Sequence, residues 1–262
     1  LEPVFEKIEF NADNFEYEAS VIIPVRNRVR TIADAIDSVL KQKTNFKFNL
    51  IIIDNHSTDG TSEAIDRFAG DERVIHLIPE RNDLGIGGCW NMGVHHSKCG
   101  KFAVQLDSDD VYNNENTLQT MIDAFYAQNC GMVVGTYMMT DFNMNMIAPG
   151  IIDHKEWTPE NGRNNALRIN GLGAPRAFYA PLLRQVKVPN TSYGEDYALG
   201  LNFSRQYQIG RVYDVVYNCR RWDDNSDASL DIVKMNGHNL YKDRIRTWEL
   251  QARIAMNKKS GK

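Results

Sequence analysis

This sequence of 262 residues lacks several features that define large classes of protein. The longest aliphatic run, residues 50–53, is far too short for a transmembrane helix, and the N-terminus has no signal-peptide pattern. The net charge is -4, and the dispersed lysines and arginines form no basic stripe for a nucleic-acid backbone. We therefore expect no membrane span in this chain and no nucleic-acid partner.

Motifs for several kinds of catalysis and metal binding are also missing. The four cysteines form no Cys-x-x-Cys pair and the six histidines show no His-Glu-x-x-His spacing, which argues against a structural zinc site. No Gly-x-Ser-x-Gly elbow and no P-loop occur. Scattered free thiols are typical of a reducing compartment, so we expect a cytoplasmic protein.

The composition is that of a folded globular protein. Apolar residues make up 42% of the chain and aromatic residues 10%, enough for a substantial core in one large domain or two small ones. No linker separates two domains. The chain begins with Leu1 rather than Met, which we interpret as the start of a processed or excised piece.

Strand and helix patterns alternate through the first half of the chain. Residues 1–18 read as a lead-in arm, with order expected from about residue 19. Continuous aliphatic strands separated by helices predict an α/β fold, with a Rossmann-like, mostly parallel central sheet and helices on both faces. The predicted strands are 20–24, 48–54, 74–78 and one ending before residue 107, and the predicted helices are 31–40, 62–68 and 88–96.

The second half has a less regular pattern. We expect helices at 117–127 and 195–206, strands at 132–138 and 209–217, and a long helical pattern over 230–256. Residues 141–175 read as loop-rich, with a helix start at 158–160.

Three carboxylates follow the fourth strand within four residues. Phe102, Val104 and Leu106 alternate with a period of two, which predicts a half-buried strand that delivers its acids to a sheet edge. Open α/β sheets bind ligands at that edge. Hard oxygen donors this close together suit Mg²⁺ or Mn²⁺, with sites left for phosphate oxygens. The alternative is a solvated acidic turn that caps the next helix. The acids are Asp107, Asp109 and Asp110.

The second strand ends in Asp54 at the same predicted edge. A carboxylate there can accept hydrogen bonds from a nucleobase imide or a ribose, although Asp54 and Ser57 could instead cap a helix. The segment 82–91 has Gly85 and Gly87 in the pattern of a dinucleotide fingerprint, but Trp90 takes the position of its third glycine. A backbone that approaches a bound nucleotide near Gly85 and an ordinary turn both remain open.

Two later clusters carry charge. Glu195 and Asp196 open a predicted helix, where the helix dipole favours carboxylates and keeps a general base ionised. Arg220, Arg221 and Trp222 follow a strand; the arginines could pair with a diphosphate and the indole could stack on a sugar ring. Surface ion pairs and packing are the alternative for both clusters.

Four segments, taken in order, resemble the family 2 glycosyltransferases of GT-A fold. The similarity spans residues 19–227. These segments are Ser-Val-Ile-Ile-Pro-Val-Arg-Asn at 20–27, Asp54 with Ser-Thr-Asp-Gly-Thr at 57–61, Asp-Ser-Asp-Asp at 107–110 and Gly-Glu-Asp at 194–196. The resemblance implies a metal-dependent inverting enzyme that moves a sugar from a nucleotide diphosphate, often UDP, to a hydroxyl.

The resemblance also implies residue roles. The donor would be bound by Pro24, Val25, Asn27, Asp54, Gly85, Asp107 and Asp109. The Mn²⁺ or Mg²⁺ ion of the DxD-type motif would be bound by Asp109 and Asp110, with the choice among the three acids left open. Asp196 matches the acid that acts as base, and Glu195 and Trp222 are expected to bind the acceptor. The candidate acceptor wall is residues 141–192 with Trp157, Tyr179 and Tyr193.

The domain division implied by the resemblance has three parts: an arm at 1–18, a glycosyltransferase domain at 19–227 and a helical extension at 228–262. Within the domain, residues 19–111 would bind the nucleotide and 112–227 the acceptor. The expected acceptor is a saccharide or a lipid-linked saccharide in polysaccharide or glycoconjugate synthesis, with a peripheral position at the inner face of the membrane left open. Two alternatives are a sugar nucleotidyltransferase and a non-catalytic module that binds a sugar nucleotide.

Overall fold

The computed structural model describes residues 5–11, 14–155, 163–169, 171–222 and 231–259. In its first half, strands and helices alternate as predicted, and each predicted boundary lies within two residues of the observed one. The strands are β1 (Ala19–Val25), β2 (Phe48–Asp54), β3 (Val74–Leu77) and β4 (Phe102–Gln105). The helices are α1 (Ile32–Leu40), α2 (Thr61–Asp66) and α3 (Ile86–His95).

The second half contains both predicted and unforeseen elements. Those predicted from the sequence are α4 (Thr117–Gln128), β6 (Met132–Thr140), α6 (Glu195–Gln206), β9 (Ile209–Arg220) and α7 (Ile232–Lys259). Those not predicted are β5 (Val111–Tyr112), β7 (Met146–Ile152), a 3-10 turn (Arg163–Leu167), β8 (Arg176–Tyr179) and α5 (Ala180–Val186). The helix start predicted at 158–160 lies outside the described residues.

All nine strands of the described chain belong to one sheet, in the order β3-β2-β1-β4-β8-β6-β9-β5, with β7 beside β6. β1 pairs in parallel with β2 and β4, and β2 with β3. β8 runs antiparallel to its neighbours β4 and β6, while β6 and β9 are again parallel. The α/β fold with a mostly parallel sheet is confirmed, and β8 is the antiparallel strand that joins its two parallel parts.

Helices cover both faces of the sheet, as predicted. One apolar cluster lies under α1, α2 and α4, where Ile36, Ile65 and Phe125 are buried. The other lies under α3, α5, α6 and α7, with Trp90 and Phe203 among its members. This arrangement corrects the half-buried interpretation of β4: all four of its residues are buried because the strand lies between β1 and β8 with helices above and below.

The N-terminal arm is ordered before residue 19, contrary to expectation. Ile8 is buried, and its backbone N–H and C=O both hydrogen-bond to the Asn129 side chain. The Phe10 ring packs edge-on against Phe102 and Tyr179, with ring centroids 5.5 and 5.2 Å apart. The arm therefore contributes to the core. The arm has too few apolar residues to show a period, so its packing against the core could not be predicted from the sequence.

The last helix, α7, has 28 residues and packs against α6 through a buried ionic cluster. The Glu249 carboxylate accepts hydrogen bonds from the Arg205 and Arg253 guanidinium groups, and Glu249 and Arg253 are both buried. Within the described chain, we find no helix with the length and hydropathy needed to cross a bilayer.

Glycines at the start of α3 allow a neighbouring loop to approach the helix closely. The Gly87 N–H donates to the Thr191 carbonyl at 2.9 Å, and a Cβ on Gly87 would lie 1.8 Å from the Pro189 oxygen. At Gly85 and Gly88, a Cβ would contact Thr191 and Asn190 at 2.7 and 2.3 Å. The glycine-rich segment thus holds the start of α3 against residues 188–192.

We predict that Gly87→Ala lowers the free energy of unfolding by about 2–3 kcal/mol, since the loop backbone must move to make room for a methyl group. The matched control is Gly70→Ala, because a Cβ on Gly70 has nothing within 4 Å. Urea unfolding of the two variants beside the wild type measures the effect. Equal stabilities for the two variants would contradict the packing role of Gly87.

Candidate active site

A cleft of about 450 Å³ lies at the carboxyl ends of β1, β2 and β4. Six of the predicted site residues border it: Pro24, Val25, Asp107, Asp109, Asp110 and Glu195. The remaining five do not: Asn27, Asp54, Gly85, Asp196 and Trp222. Residues not assigned from the sequence complete the wall, among them Arg28, Asn55, Trp90, Gln105 and Arg176.

Asp107 borders the cleft. Its side chain is open to the cleft but surrounded by protein on its other sides, and this desolvation raises the pKa of its carboxyl group. The Arg176 charge and a hydrogen bond of 2.8 Å from Gln105 Nε2 to Asp107 Oδ1 oppose the rise. The carboxylate is therefore oriented on one side by Gln105 and remains accessible from the cleft.

Asp110 is buried and anchors the acidic loop to β9. Its Oδ2 accepts a hydrogen bond of 2.8 Å from the Tyr217 hydroxyl, and its Oδ1 accepts one of 2.7 Å from the Arg220 N–H. Burial, followed by the charges of Asp107 and Asp109, raises the pKa of Asp110 well above its ordinary value. Both carboxylate oxygens have protein partners, so in this arrangement Asp110 holds the loop in place.

Arg220 has a structural role, which agrees with the ion-pair and packing alternative rather than with diphosphate binding. It is fully buried, its Nε donates to the Asp109 carbonyl at 2.6 Å, and its Nη1 pairs with Asp34 of α1 at 2.6 Å. The interpretation of Arg220 as a partner for a diphosphate is therefore wrong, because its guanidinium faces the protein. Arg221 is the arginine of this pair that borders the cleft.

Asp109 borders the cleft next to aromatic and basic side chains. The Trp222 indole N–H donates to Asp109 Oδ2 at 3.3 Å, and Arg28 Nε lies 3.7 Å from the same oxygen. The Trp222 ring also packs edge-on against Phe142 and lies beneath the Arg30 guanidinium at 5.3 Å. Trp222 is therefore close to the acidic loop, and its predicted contact with the acceptor stays a prediction.

The acidic loop suits a divalent ion in its donor chemistry. Asp107 and Asp109 offer hard oxygen donors at the cleft, and Mg²⁺ and Mn²⁺ are commonly held by one or two carboxylates together with phosphate oxygens and water. Across the described ranges, no group of three or more His, Cys, Asp or Glu side chains is arranged to hold a metal by itself. The residues present therefore fit an ion that a bound diphosphate would help to coordinate.

Asp54 is fully buried and organises the loop after β2. Its Oδ1 accepts a hydrogen bond of 3.0 Å from the Ser57 N–H, and its Oδ2 accepts one from the Ser62 hydroxyl at the start of α2. Burial alone would raise the pKa of Asp54, but these hydrogen bonds outweigh it and hold the pKa below its ordinary value. Local capping thus describes its observed contacts, and its neighbour Asn55 borders the cleft.

The loop after β1 is tied to the same region. The Asn27 backbone is left-handed, with φ of 53°, and its side-chain oxygen accepts the Thr58 N–H at 2.8 Å. Pro24 and Val25 line the cleft directly, whereas Asn27 lies outside it and joins the two loops. Gly85 also lies outside the cleft. Its backbone packs closely against Thr191, and a Cβ on Gly85 would lie 2.7 Å from the Thr191 backbone.

Asp196 forms an ion pair with an arginine that the sequence analysis did not single out. Arg176 Nη1 lies 2.9 Å from Asp196 Oδ2, and the Arg176 N–H donates to Gln105 Oε1 at 3.1 Å. Arg176 begins β8, beside β4, so it lies between Asp107 and Asp196 and interacts electrostatically with both. Only long-range strand pairing brings it there, and no local sequence pattern indicated it.

Glu195 borders the cleft directly. Its Oε2 is buried and has no hydrogen-bond partner among the described residues. Burial, with a smaller contribution from the Asp196 charge, raises the pKa of Glu195 to about 7. A buried carboxyl oxygen without a partner is costly unless it is protonated or bound to a ligand.

Two of the three aromatic residues named for the candidate acceptor wall lie within the described residues. Tyr179 is buried in the core next to Phe10 and Phe102, so it is not available to an acceptor. Tyr193 stacks on His238 of α7, with ring centroids 3.7 Å apart, next to the cleft residue Ser192. Trp157 lies outside the described residues.

Comparisons with known proteins agree with this fold. The sequence model described as glycosyl transferase family 2 matches residues 20–183. The chain is 28% identical over 239 residues to the Escherichia coli UDP-Glc:alpha-D-GlcNAc-diphosphoundecaprenol beta-1,3-glucosyltransferase WfgD, covering 90% of this chain and 85% of that protein. It is also 28% identical over 122 residues to glycosyltransferase GlyG of Streptococcus pneumoniae, covering 47% of this chain but only 40% of that protein.

Solved structures share the fold. Staphylococcus aureus TarS 1-349 in complex with UDP-GlcNAc superposes with a TM-score of 0.66 at 19% identity, covering 89% of this chain and 71% of that one. The mannosyltransferase PcManGT from Pyrobaculum calidifontis, in complex with GDP-Man and Mn²⁺, has a TM-score of 0.59 at 15% identity over 100% of this chain and 80% of that one. At these identities the likeness concerns the fold alone. With its family match over more than half its length, this chain belongs to glycosyl transferase family 2 and has the GT-A fold.

Proposed function

We propose that this protein is a metal-dependent inverting glycosyltransferase that moves a sugar from a nucleotide diphosphate, with UDP favoured, to a hydroxyl group of a saccharide or lipid-linked acceptor. One observation carries the proposal: the cleft has the acidic loop at one side and the start of α6, with Glu195, at another. The first suits a metal-bound diphosphate and the second an acceptor hydroxyl. The UDP and lipid-linked acceptor named for the E. coli relative support the finer assignment.

The donor would enter along the loops after β1 and β2. Pro24, Val25 and Asn55 would form the wall next to the nucleotide base. Asn27 and Asp54 would contribute to nucleobase binding indirectly. The hydrogen bonds of Asn27 to Thr58 and of Asp54 to Ser57 fix the conformation of the loops that form this wall. The nucleotide-binding half at 19–111 and the acceptor-binding half at 112–227 remain the proposed division of the domain.

Asp109 and Asp107 would hold the divalent ion, with Asp110 as the anchor of their loop. Asp110 is the weaker candidate for direct coordination because Tyr217 and Arg220 occupy both of its oxygens. When bound, Mn²⁺ or Mg²⁺ supplies positive charge that stabilises the departing diphosphate. Arg221 and Arg28, which border the same cleft, would add to that charge.

Asp196 would accept the proton from the acceptor hydroxyl as that oxygen attacks the anomeric carbon from the face opposite the diphosphate. Asp196 lies at the start of α6, where its Oδ2 is held 2.9 Å from Arg176 Nη1. Its side chain is 23% exposed, and its neighbour in the chain, Glu195, borders the cleft. Direct displacement gives inversion at the anomeric carbon.

Glu195 would bind the acceptor. A protonated Glu195 can donate a hydrogen bond to an acceptor oxygen, and an ionised one can accept a bond from an acceptor hydroxyl. Either contact would satisfy the buried Oε2, which has no partner in the described chain. Trp222, whose indole N–H donates to the cleft residue Asp109, would supply an apolar surface for a sugar ring.

We predict that a UDP-sugar together with Mn²⁺ raises the midpoint of thermal unfolding, whereas Mn²⁺ alone has a smaller effect. A panel of UDP-, GDP- and dTDP-sugars, each with and without Mn²⁺, measures this by differential scanning fluorimetry. Asp107→Asn together with Asp109→Asn should remove the Mn²⁺-dependent part of the shift. Unchanged Mn²⁺ dependence in that double variant would contradict the proposed metal site.

We predict that Asp196→Asn lowers kcat for sugar transfer or donor hydrolysis by roughly 100-fold or more, with little change in the KM for the donor. Asparagine keeps the shape of the side chain and can still accept a hydrogen bond from Arg176, but it is not a base. The matched control is Asp123→Asn on the exposed side of α4. A near wild-type rate for Asp196→Asn, measured with the donor found in the panel, would rule out this base.

We predict that Glu195→Gln makes the stability of the protein less sensitive to pH. The pKa of Glu195 is raised from 4.5 to about 7 in the folded state, so the folded protein binds this proton more tightly than the unfolded chain does. This proton binding stabilises the folded protein fully below about pH 4.5. The stabilisation decreases as the pH rises and is lost once the pH passes about 7. Glutamine removes that loss.

The variant should therefore gain about 2 kcal/mol relative to the wild type between pH 5 and pH 8. Urea unfolding of both proteins at the two pH values measures the difference. Glu80→Gln, which removes an exposed carboxylate, is the control. If the gap between Glu195→Gln and the wild type is the same at both pH values, the buried carboxyl does not titrate as described.

A further inference from the structure

Helix α7 buries two charged residues and exposes several large apolar ones, the reverse of what a surface helix normally does with such residues. Glu249 and Arg253 are 5% and 6% exposed, whereas Val233 and Trp248 are 76% and 63% exposed. A surface helix normally directs its apolar stripe to the core and its charges to solvent. The outer face of α7, defined here by Val233, Leu240, Arg244, Trp248 and Ile254, therefore combines large apolar residues with a basic one, and the described chain leaves it exposed.

The inner face is fixed by specific contacts, so the helix cannot rotate to bury these apolar residues. Arg253 donates to Glu249 Oε1 at 2.7 Å and to Ser204 Oγ at 2.8 Å. Arg246 donates to the Tyr197 hydroxyl at 2.8 Å and to the Ile169 carbonyl at 2.9 Å. These bonds join α7 to α6 and its surroundings. The outward position of the apolar residues is a consequence of this packing.

The charge of α7 indicates what would cover its outer face. The helix contains seven basic and two acidic residues, a net charge of +5, although the whole chain is at -4. Of the two acids, Glu249 is buried and Asp243 pairs with Arg246. The exposed basic residues lie among and beside the apolar ones; they are Lys234, Arg244, Lys258 and Lys259. Apolar and basic groups together match the interface of a bilayer that contains anionic lipids.

A second copy of the helix is a poorer match. Val233, Leu240 and Ile254 lie on one row with a spacing of seven residues, in which Thr247 takes the third position; a pair of helices needs two such rows. The intervening positions of the second row are not apolar; they are Gly237, Arg244 and Gln251. A helix pair would have to bury Arg244 without an acidic partner on that row, whereas a lipid headgroup would pair with it.

We propose that the outer face of α7 docks on the surface of an anionic bilayer. The helix of 28 residues, about 42 Å long, would lie in the plane of the interface. Leu240, Trp248 and Ile254 insert at the level of the headgroups, and the basic residues contact lipid phosphates. The surface is distinct from the cleft. The proposal does not depend on which donor or acceptor the cleft binds, because vesicle binding is measured with neither present.

The experiment is co-sedimentation of the full chain with vesicles. One set contains equal parts of phosphatidylcholine and phosphatidylglycerol, and the other contains phosphatidylcholine alone. We expect binding to the anionic vesicles at low salt, weaker binding to neutral ones, and loss at high salt. Leu240→Gln with Ile254→Gln should lower the partition onto anionic vesicles by roughly tenfold or more. Arg244→Glu should weaken it less and reduce the dependence on salt.

Two variants control for composition and charge. Ile78→Gln removes an apolar side chain that is 55% exposed outside α7, and Lys98→Glu reverses an exposed charge outside α7. Neither should change vesicle binding, and unfolding midpoints confirm that all variants fold. Absence of binding to anionic vesicles at low salt overturns the proposal, and so does binding that the α7 substitutions leave unchanged. A dimer in solution that Leu240→Gln with Ile254→Gln dissociates would assign the face to a second copy instead.

Discussion

The candidate site depends on how one acidic loop is held. Three aspartates within four residues repel one another, and the pKa of buried Asp110 is raised for this reason as well as by desolvation. Tyr217 and Arg220 of β9 compensate by donating to both Asp110 oxygens. Because Asp110 is anchored in this way, its neighbours Asp107 and Asp109 are left facing the cleft. The loop can then offer two carboxylates to a ligand while the third fixes its conformation.

The antiparallel strand β8 connects the two sides of the cleft. Its first residue, Arg176, is hydrogen-bonded to Gln105, and Gln105 in turn orients Asp107. The same guanidinium pairs with Asp196 at 2.9 Å. A carboxylate on the donor side and the proposed base are therefore linked through one arginine and one glutamine. A shift of β8 would therefore change the position of both groups together.

Much of the fold could be predicted because its signals are local. Continuous aliphatic runs gave β1 and β2, and the bounds of β2 and α6 match the prediction at both ends. Strands β5 and β8 have two and four residues, too few to show a period, and they form only because distant partners are present. The same limit applies to the site. Asp107 and Glu195 follow recognisable motifs, but Arg176, Gln105 and Tyr217 act through contacts between residues remote in sequence.

Helix α7 was predicted as a helix, but its outward-facing surface was not expected. Its helical pattern was visible in the sequence, but the usual rule would have turned Leu240 and Ile254 toward the core. Instead, Arg205 of α6 provides a partner for Glu249, and Arg253 completes a buried cluster in which the charged atoms are hydrogen-bonded. A charge that finds partners can be buried at moderate cost, whereas an unpaired one cannot. The pairing with α6 therefore decides which face of α7 points outward, and this leaves its apolar residues for another surface.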